Sequence, residues 1–280
     1  MIAVHNECLE TGVKVSFSKI CRWLGVARST AYYPPKTDRR DRPVDQEVLT
    51  LIKDLIEKEP GLGVRMTWAR LRSWHGLAIN RKKVHRIMKL EGLTLPKRKK
   101  GARPRVAHSR SVAERPNQRW STDIASVDCG QDGWCAFVPV IDCHTREVVG
   151  WELDRTARSK TAERALENGL LARFGLLRGA PKGMRLRHDN GLVFGSRNYR
   201  ALVADYGLTQ EYIAPYTPEQ NGLCERFIRT FKEECCWVQR FANLAEARKA
   251  VETWITFYNE RRPHSALNYQ SPNQAMKIAA

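Results

Sequence analysis

No apolar run of about 18 residues occurs in this 280-residue chain, which argues against a membrane span. The opening MIAVHNECLE lacks a basic start leading into an apolar stretch, so a secretory leader is not expected, and a cytoplasmic location is. Cys-x-x-Cys is absent, and positions 22–128 hold no cysteine, so the eight cysteines offer no zinc-finger spacing. Reduced thiols filling small packing positions are the expectation. Acidic residues are scarce in the front of the chain. Residues 1–119 carry 27 basic and 11 acidic side chains, a balance of +16, against +2 for residues 120–280. A polyanion-binding front half and a near-neutral back half follow, and nucleic acid is the commonest such polyanion.

What is present suffices for folding: 42% hydrophobic and 9% aromatic residues exclude a wholly disordered chain. The length suggests about two domains. Ser16–Tyr33 has the spacing of two short helices about Gly25, stopped by Pro34-Pro35. Read as a helix-turn-helix, it places Arg28, Ser29 and Thr30 at the start of a recognition helix; an ordinary helical hairpin fits the same pattern. Val44–Lys58, Val64–Trp74 and Arg81–Leu90 follow as a second helical unit, the last capped by Asn80. Arg81, Lys82, Lys83 and Arg86 make its face basic, suited to phosphate contact. Pro96–Arg110 has seven basic residues, Lys97, Arg98, Lys99 and Lys100 among them, and no acid, which makes an extended linker able to lie along a phosphate backbone. The expected divisions are 1–38 (helix-turn-helix region), 43–95 (second DNA-binding unit), 96–116 (basic linker) and 117–275 (catalytic core with C-terminal extension).

From Trp120 the pattern changes. Strands are predicted over Thr122–Val127, Trp134–Ile141, Glu147–Leu153, Met184–His188 and Leu208–Ile213, and helices over Lys160–Phe174, Ser196–Tyr206 and Pro218–Trp237. That order implies an α/β fold, a mixed sheet covered by helices on both faces. Three carboxylates stand out by position: Asp123 in the first strand, Asp189 after the fourth, and Glu225 on the long helix. Two strand aspartates and a facing helical glutamate can hold a pair of divalent ions for in-line displacement at phosphorus. Asn221, Glu225, Arg229 and Lys232 recur at intervals of four, four and three, one face of a helix with two cations suited to DNA. A solvated Glu–Arg face is the bland alternative. Asp128, Asp132 and Asp142 are rivals, but each neighbours turn residues. Tyr216, in a Pro/Tyr/Thr loop, could stack on a base or pack on the sheet edge, and His264 could meet a phosphate or serve a turn.

Four blocks in order, Trp120-Ser-Thr-Asp123, His188-Asp-Asn-Gly191, Pro218-Glu-Gln-Asn-Gly-Leu-Cys-Glu225-Arg-Phe and Tyr258-Asn-Glu-Arg-Arg-Pro-His-Ser-Ala-Leu267, resemble a DDE transposase. The resemblance is to the second-frame product of two-frame bacterial insertion sequences, with a retroviral-integrase-like core, and it covers nearly the whole chain. It implies a ribonuclease-H-like five-stranded mixed sheet flanked by helices and preceded by an all-helical helix-turn-helix DNA-binding region. It implies a catalytic, metal-holding triad of Asp123, Asp189 and Glu225, with Arg229 and Lys232 approaching the transposon end. Ala125-Ser126 departs from the commoner threonine-tyrosine. The implied activity is binding of insertion-sequence ends, then metal-dependent strand cleavage and strand transfer with two Mg2+ (or Mn2+) ions per site. The implied partners are double-stranded DNA, both terminal inverted repeats and target, further copies of the chain in a synaptic complex, and an upstream reading-frame product. A non-catalytic DNA-binding regulator or accessory subunit, and a nuclease of RNA–DNA hybrids, are the competing functions.

Overall fold

A computed structural model describes residues 2–28, 43–96, 112–175, 179–213 and 218–279. The chain begins with α1 (Ile2–Glu10) and α2 (Phe17–Trp23), and Gly25 turns the backbone at φ +64°. The second half of the expected helix-turn-helix lies outside the described residues. Next come α3 (Gln46–Lys58), α4 (Val64–His75) and α5 (Arg81–Leu90). Asp45 caps α3 by accepting from the Val48 N–H, and Asn80 caps α5 by accepting from the Lys82 N–H at 2.8 Å. Val48, Leu49, Ile52 and Leu55 recur on one face of α3 and close over Leu71, Val84, Ile87 and Met88, giving this unit its own core.

The back half holds β1 (Arg119–Thr122), β2 (Ala125–Asp128), β3 (Trp134–Asp142), β4 (Val148–Asp154), β5 (Arg185–His188) and β6 (Thr209–Tyr212). They form one six-stranded mixed sheet. The sequence reading expects one strand over Thr122–Val127 and five in all. Instead β1 and β2 run end to end along the same edge of β3, in unchanged register from Thr122↔Val140 to Ala125↔Phe137. Two features accompany the break at Asp123–Ile124. The Ile124 N–H is given to the Asp123 side chain at 2.8 Å rather than to a neighbouring strand, and the register sets Pro139, which has no N–H, opposite Asp123. Beyond β1, β5 pairs parallel to it, and β6 parallel to β5.

Both faces are covered. Alternation along β3 sends Phe137 and Ile141 to one face, Val138 and Val140 to the other. On the second face lie α6 (Ser159–Phe174) and α7 (Arg197–Asp205). A Cβ at Gly150 would stand 2.4 Å from the Ala165 carbonyl oxygen, so glycine there lets α6 seat on the sheet. The first face is covered by α8 (Gly222–Phe231) and α9 (Leu244–Glu260), and α10 (Pro272–Ala279) completes the described chain. The helix predicted over Pro218–Trp237 is really three pieces: a 3₁₀ turn at Pro218–Asn221, α8, and a π-turn at Lys232–Cys236.

The two halves touch. Trp74 of α4 donates its indole N–H to the Arg261 carbonyl at 3.3 Å and meets Phe257 of α9 edge-on. Arg70, fully buried, pairs with Glu59 and lies over the Trp74 and Phe257 rings. Among the described residues no helix is long and apolar enough to cross a membrane.

Candidate active site

Two aspartates follow directly on the carboxyl ends of adjacent parallel strands: Asp123 after β1 and Asp189 after β5. The pairs Trp120↔Leu186 and Ser121↔Arg187, carried two residues on, set these positions side by side. Such strand ends are where open sheets present their ligand-binding residues. Asp189 is oriented by the Gly191 N–H, which donates to its Oδ1 at 2.9 Å, while the Asn190 amide donates to the Ile213 carbonyl. Beneath it, His188 is buried between Phe194, Tyr199 and Tyr212. Burial holds its pKa below the ordinary value, leaving a neutral packing ring.

Glu225 enters from α8, exposed, in the first turn of the helix. The start of α8 is tied to the sheet by buried polar contacts. Ser121 of β1 donates to Asn221 Oδ1 at 2.5 Å, and the Asn221 amide reaches the Thr122 carbonyl at 3.4 Å. From β5, Arg187 donates to the Gln220 carbonyl and to Glu211, which also takes Arg119, each within 2.8 Å. Burial works against the Glu211 charge, but the two arginines prevail and hold its pKa below the usual carboxylate value.

Asp123 feels the other two carboxylates. Burial pushes the Asp123 carboxyl from 3.8 up to about 6; the Ile124 N–H opposes this, and the charges of Asp189 and Glu225 add to it. Asp123 and Glu225 line a cavity of about 690 Å3 with Ser126, Ile228, Arg229, Lys232 and Trp237. Among the described residues, no three His, Cys, Asp or Glu side chains close into a ready-made metal cage. A separate cavity of about 580 Å3 lies between Glu59 and α9, away from these groups.

Asn221 is a correction. The sequence reading sets it on a DNA-facing helix stripe, but α8 starts one residue later, and Asn221 is 3% exposed with its side chain spent on β1. Arg229 and Lys232 do share the cavity with Glu225, and Arg229 also pairs with Glu233 at 2.9 Å. On α5, Arg81 and Lys82 are exposed, Lys83 pairs with Asp45 at 2.7 Å, and Arg86 donates to the Pro43 carbonyl. Arg28 is exposed. Ser29, Thr30, Lys97, Arg98, Lys99, Lys100 and Tyr216 lie outside the described residues.

The rival carboxylates serve turns and ion pairs. Asp142 accepts from the Asn117, His144 and Thr145 N–H groups, Asp128 from Gly130, and Asp132 pairs with Arg155 and caps Leu244. His264 serves the terminal turn: it bridges to Gln270, packs on Tyr258, and buries its Nε2. The sequence reading missed Ser121, the Arg119–Glu211–Arg187 network and Trp237. The first two were signalled only by polar residues in strands that otherwise read as buried.

The family described as "Integrase core domain" matches residues 113–218 and, through a second description of the same name, residues 206–272. An "HTH-like domain" matches residues 43–101, which is α3–α5 and not the Ser16–Tyr33 segment. The chain is 31% identical over 264 residues to the insertion element IS407 uncharacterized 31.7 kDa protein of Burkholderia multivorans, covering 94% of this chain and 91% of that one. It is 31% identical over 250 residues to the transposase InsD for insertion element IS2D of Escherichia coli, covering 86% and 82%. Among solved structures, the catalytic core domain of BIV integrase aligns with 58% of this chain and 95% of its own, at 18% identity and a TM-score of 0.44.

Proposed function

The chain belongs to the insertion-element transposases built on an integrase core, a family of polynucleotidyl transferases that act on DNA, and from that premise we propose its site and chemistry. Asp123, Asp189 and Glu225 form the catalytic triad of metal-dependent strand cleavage and strand transfer at the element's terminal inverted repeats. The observation that carries this reading is the convergence of two strand-end aspartates and a helical glutamate, close enough that the other two charges help raise the pKa of Asp123. Residues 43–95 grip the DNA, with Arg81 and Lys82 turned to solvent, while residues 117–275 carry the chemistry.

The donor set fits a divalent ion: three hard carboxylates from fixed elements, one of them destabilised as an anion by burial and by the charges of the other two. Asp123, Asp189 and Glu225 would hold Mg2+ or Mn2+, two ions in the proposed site. Such ions, when bound, promote the attacking oxygen and stabilise the leaving one at a phosphodiester. The chain's own part is placement. Gly191 turns the Asp189 carboxylate, Ile124 turns that of Asp123, and the Ser121–Asn221 clamp sets where Glu225 enters. Lys232 and Arg229 border the same cavity, where phosphates of a DNA end would lie.

The test uses full-length protein and duplexes bearing the element's own ends, with magnesium or manganese. Asp189→Asn is expected to lose strand cleavage by at least about a hundredfold, an electrostatic loss of the size seen when one charge-stabilising group is removed, while end binding persists. Cleavage by the variant at the wild-type rate would falsify the triad. Binding by wild type without cleavage under either metal would favour a non-catalytic regulator.

A further inference from the structure

Trp237 is a large aromatic side chain left 69% exposed at the rim of the catalytic cavity. It shares that cavity with Asp123, Glu225, Arg229 and Lys232. No ring among the described residues stacks on it, whereas four buried aromatics on the inner side of α8 and on α9, Phe227, Phe231, Trp254 and Tyr258, form one connected cluster of ring contacts. Its exposure therefore does not come from a shortage of nearby core.

The backbone brings it there. In an unbroken α-helix, at about 100° per residue, position 237 would stand about 140° round the axis from Lys232. The π-turn at Lys232–Cys236 closes instead with the Trp237 N–H on the Lys232 carbonyl at 2.8 Å, an i→i+5 bond. That wider turn brings residues 232 and 237 towards one another along the axis, so the indole joins the cavity Lys232 already borders. A cavity of about 690 Å3 falls within the roughly 300–1,000 Å3 of small-ligand sites.

Resting on the triad reading, we propose that Trp237 is a stacking platform for one nucleobase released from the duplex beside the scissile phosphate. An exposed indole recognises any base through its π-face, and the adjacent Lys232, with Arg229 beside it in its pair with Glu233, supplies charge for a flanking phosphate. A paired end must give up base stacking for its backbone to enter the cavity, and the indole offsets that loss. Trp237 is thus a positioning residue for DNA that does not touch the reacting atoms.

The experiment has two arms, both with full-length protein and duplexes of the element's own ends. In the first, 5-iododeoxyuridine at successive positions around the cut is photo-cross-linked with calcium as the divalent ion, and the attached residue is identified by mass spectrometry. A cross-link to Trp237 from a position beside the scissile phosphate on the donor end is expected. In the second, cleavage of fully paired ends is compared with cleavage of ends whose bases at the cut are already mismatched. Trp237→Ala should cleave paired ends about tenfold more slowly, in line with losing one base–aromatic stack. Mismatched ends should recover most of the rate, and Trp237→Phe should lie close to wild type. Because the side chain is exposed, unchanged circular dichroism is expected for both variants. Equal rates for Trp237→Ala and wild type on paired ends, no rescue by mismatches, or a cross-link to Trp237 only from positions away from the cut would each overturn the proposal. Failure of wild type to cleave any end would instead strike the triad reading, and the cross-link would still judge the platform by itself.

Discussion

Asp123 shows how a single residue is put under tension by its surroundings. It is partly buried, beside two further carboxylates, and its pKa is raised to about 6. A carboxyl whose folded pKa exceeds its unfolded value stabilises the fold most at low pH, and that stability is lost as pH rises from about 4 through about 6. Asp123→Asn should therefore raise the melting temperature of the metal-free protein at pH 7.5, by an energy on the order of 1–3 kcal/mol. The gain should vanish below about pH 4, where the wild-type group is protonated in both states. Thermal melts across pH in the presence of a chelator check this; an unchanged or lower melting temperature at pH 7.5 would mean that burial and the neighbouring charges do not hold the Asp123 pKa up. The aspartate itself is legible in the Trp-Ser-Thr-Asp block. Its pKa is not, because the burial that chiefly raises it comes from tertiary packing, and the charges that add to it lie 66 and 102 positions away in the chain, at Asp189 and Glu225.

At the scale of elements, the position of Glu225 depends on how α8 is moored. The Ser121–Asn221 hydrogen bond joins the last turn before α8 to the strand that ends just before Asp123. Removing one partner of a buried hydrogen bond costs about 1–3 kcal/mol. Asn221→Ala should lower stability by about that much in denaturant unfolding and slow cleavage by about tenfold or more, with end binding little changed. Wild-type stability in the variant would show that the clamp does not hold the helix. Sequence periodicity suggested another role: intervals of four, four and three put Asn221 on the outer stripe of a helix. It failed because Asn221 precedes the first helical residue, and a cap position does not obey the 3.6-residue period. The same limit explains the π-turn. A one-residue widening leaves no mark on hydrophobic spacing, yet it decides where Trp237 stands. For β1 and β2 the error ran the other way. The single strand expected over Thr122–Val127 survives in register, but Asp123 takes the Ile124 N–H where the strand splits in two.

Over the whole molecule the charge is lopsided, +16 in residues 1–119 and +2 thereafter, so most of the phosphate neutralisation on DNA should come from the front. Replacing exposed Arg81 and Lys82 together by glutamine should flatten the plot of log binding constant against log salt by about two units, about one per lost phosphate contact. Titrations of end-bearing DNA at several salt concentrations measure it; an unchanged slope would remove this face of α5 from the DNA contact. Composition alone predicts that the front half is basic. The docking of that half on α9 and the terminal block, through Trp74, Arg70, Phe257 and Arg261, was not foreseeable, since it joins residues nearly two hundred positions apart.

The chain's order of residues determined the helical front, the α/β back, the charge divide and which three carboxylates stand as candidates, because each is encoded locally as composition, period or a short block. Only the tertiary structure decided that Asp123 and Asp189 end neighbouring parallel strands, that Asn221 faces inward as a clamp, and that an indole stands open beside the carboxylates. Those outcomes depend on which strands pair, where a helix begins and how wide one of its turns is. These are properties of long-range packing and backbone hydrogen bonding, and no short stretch of residues carries them.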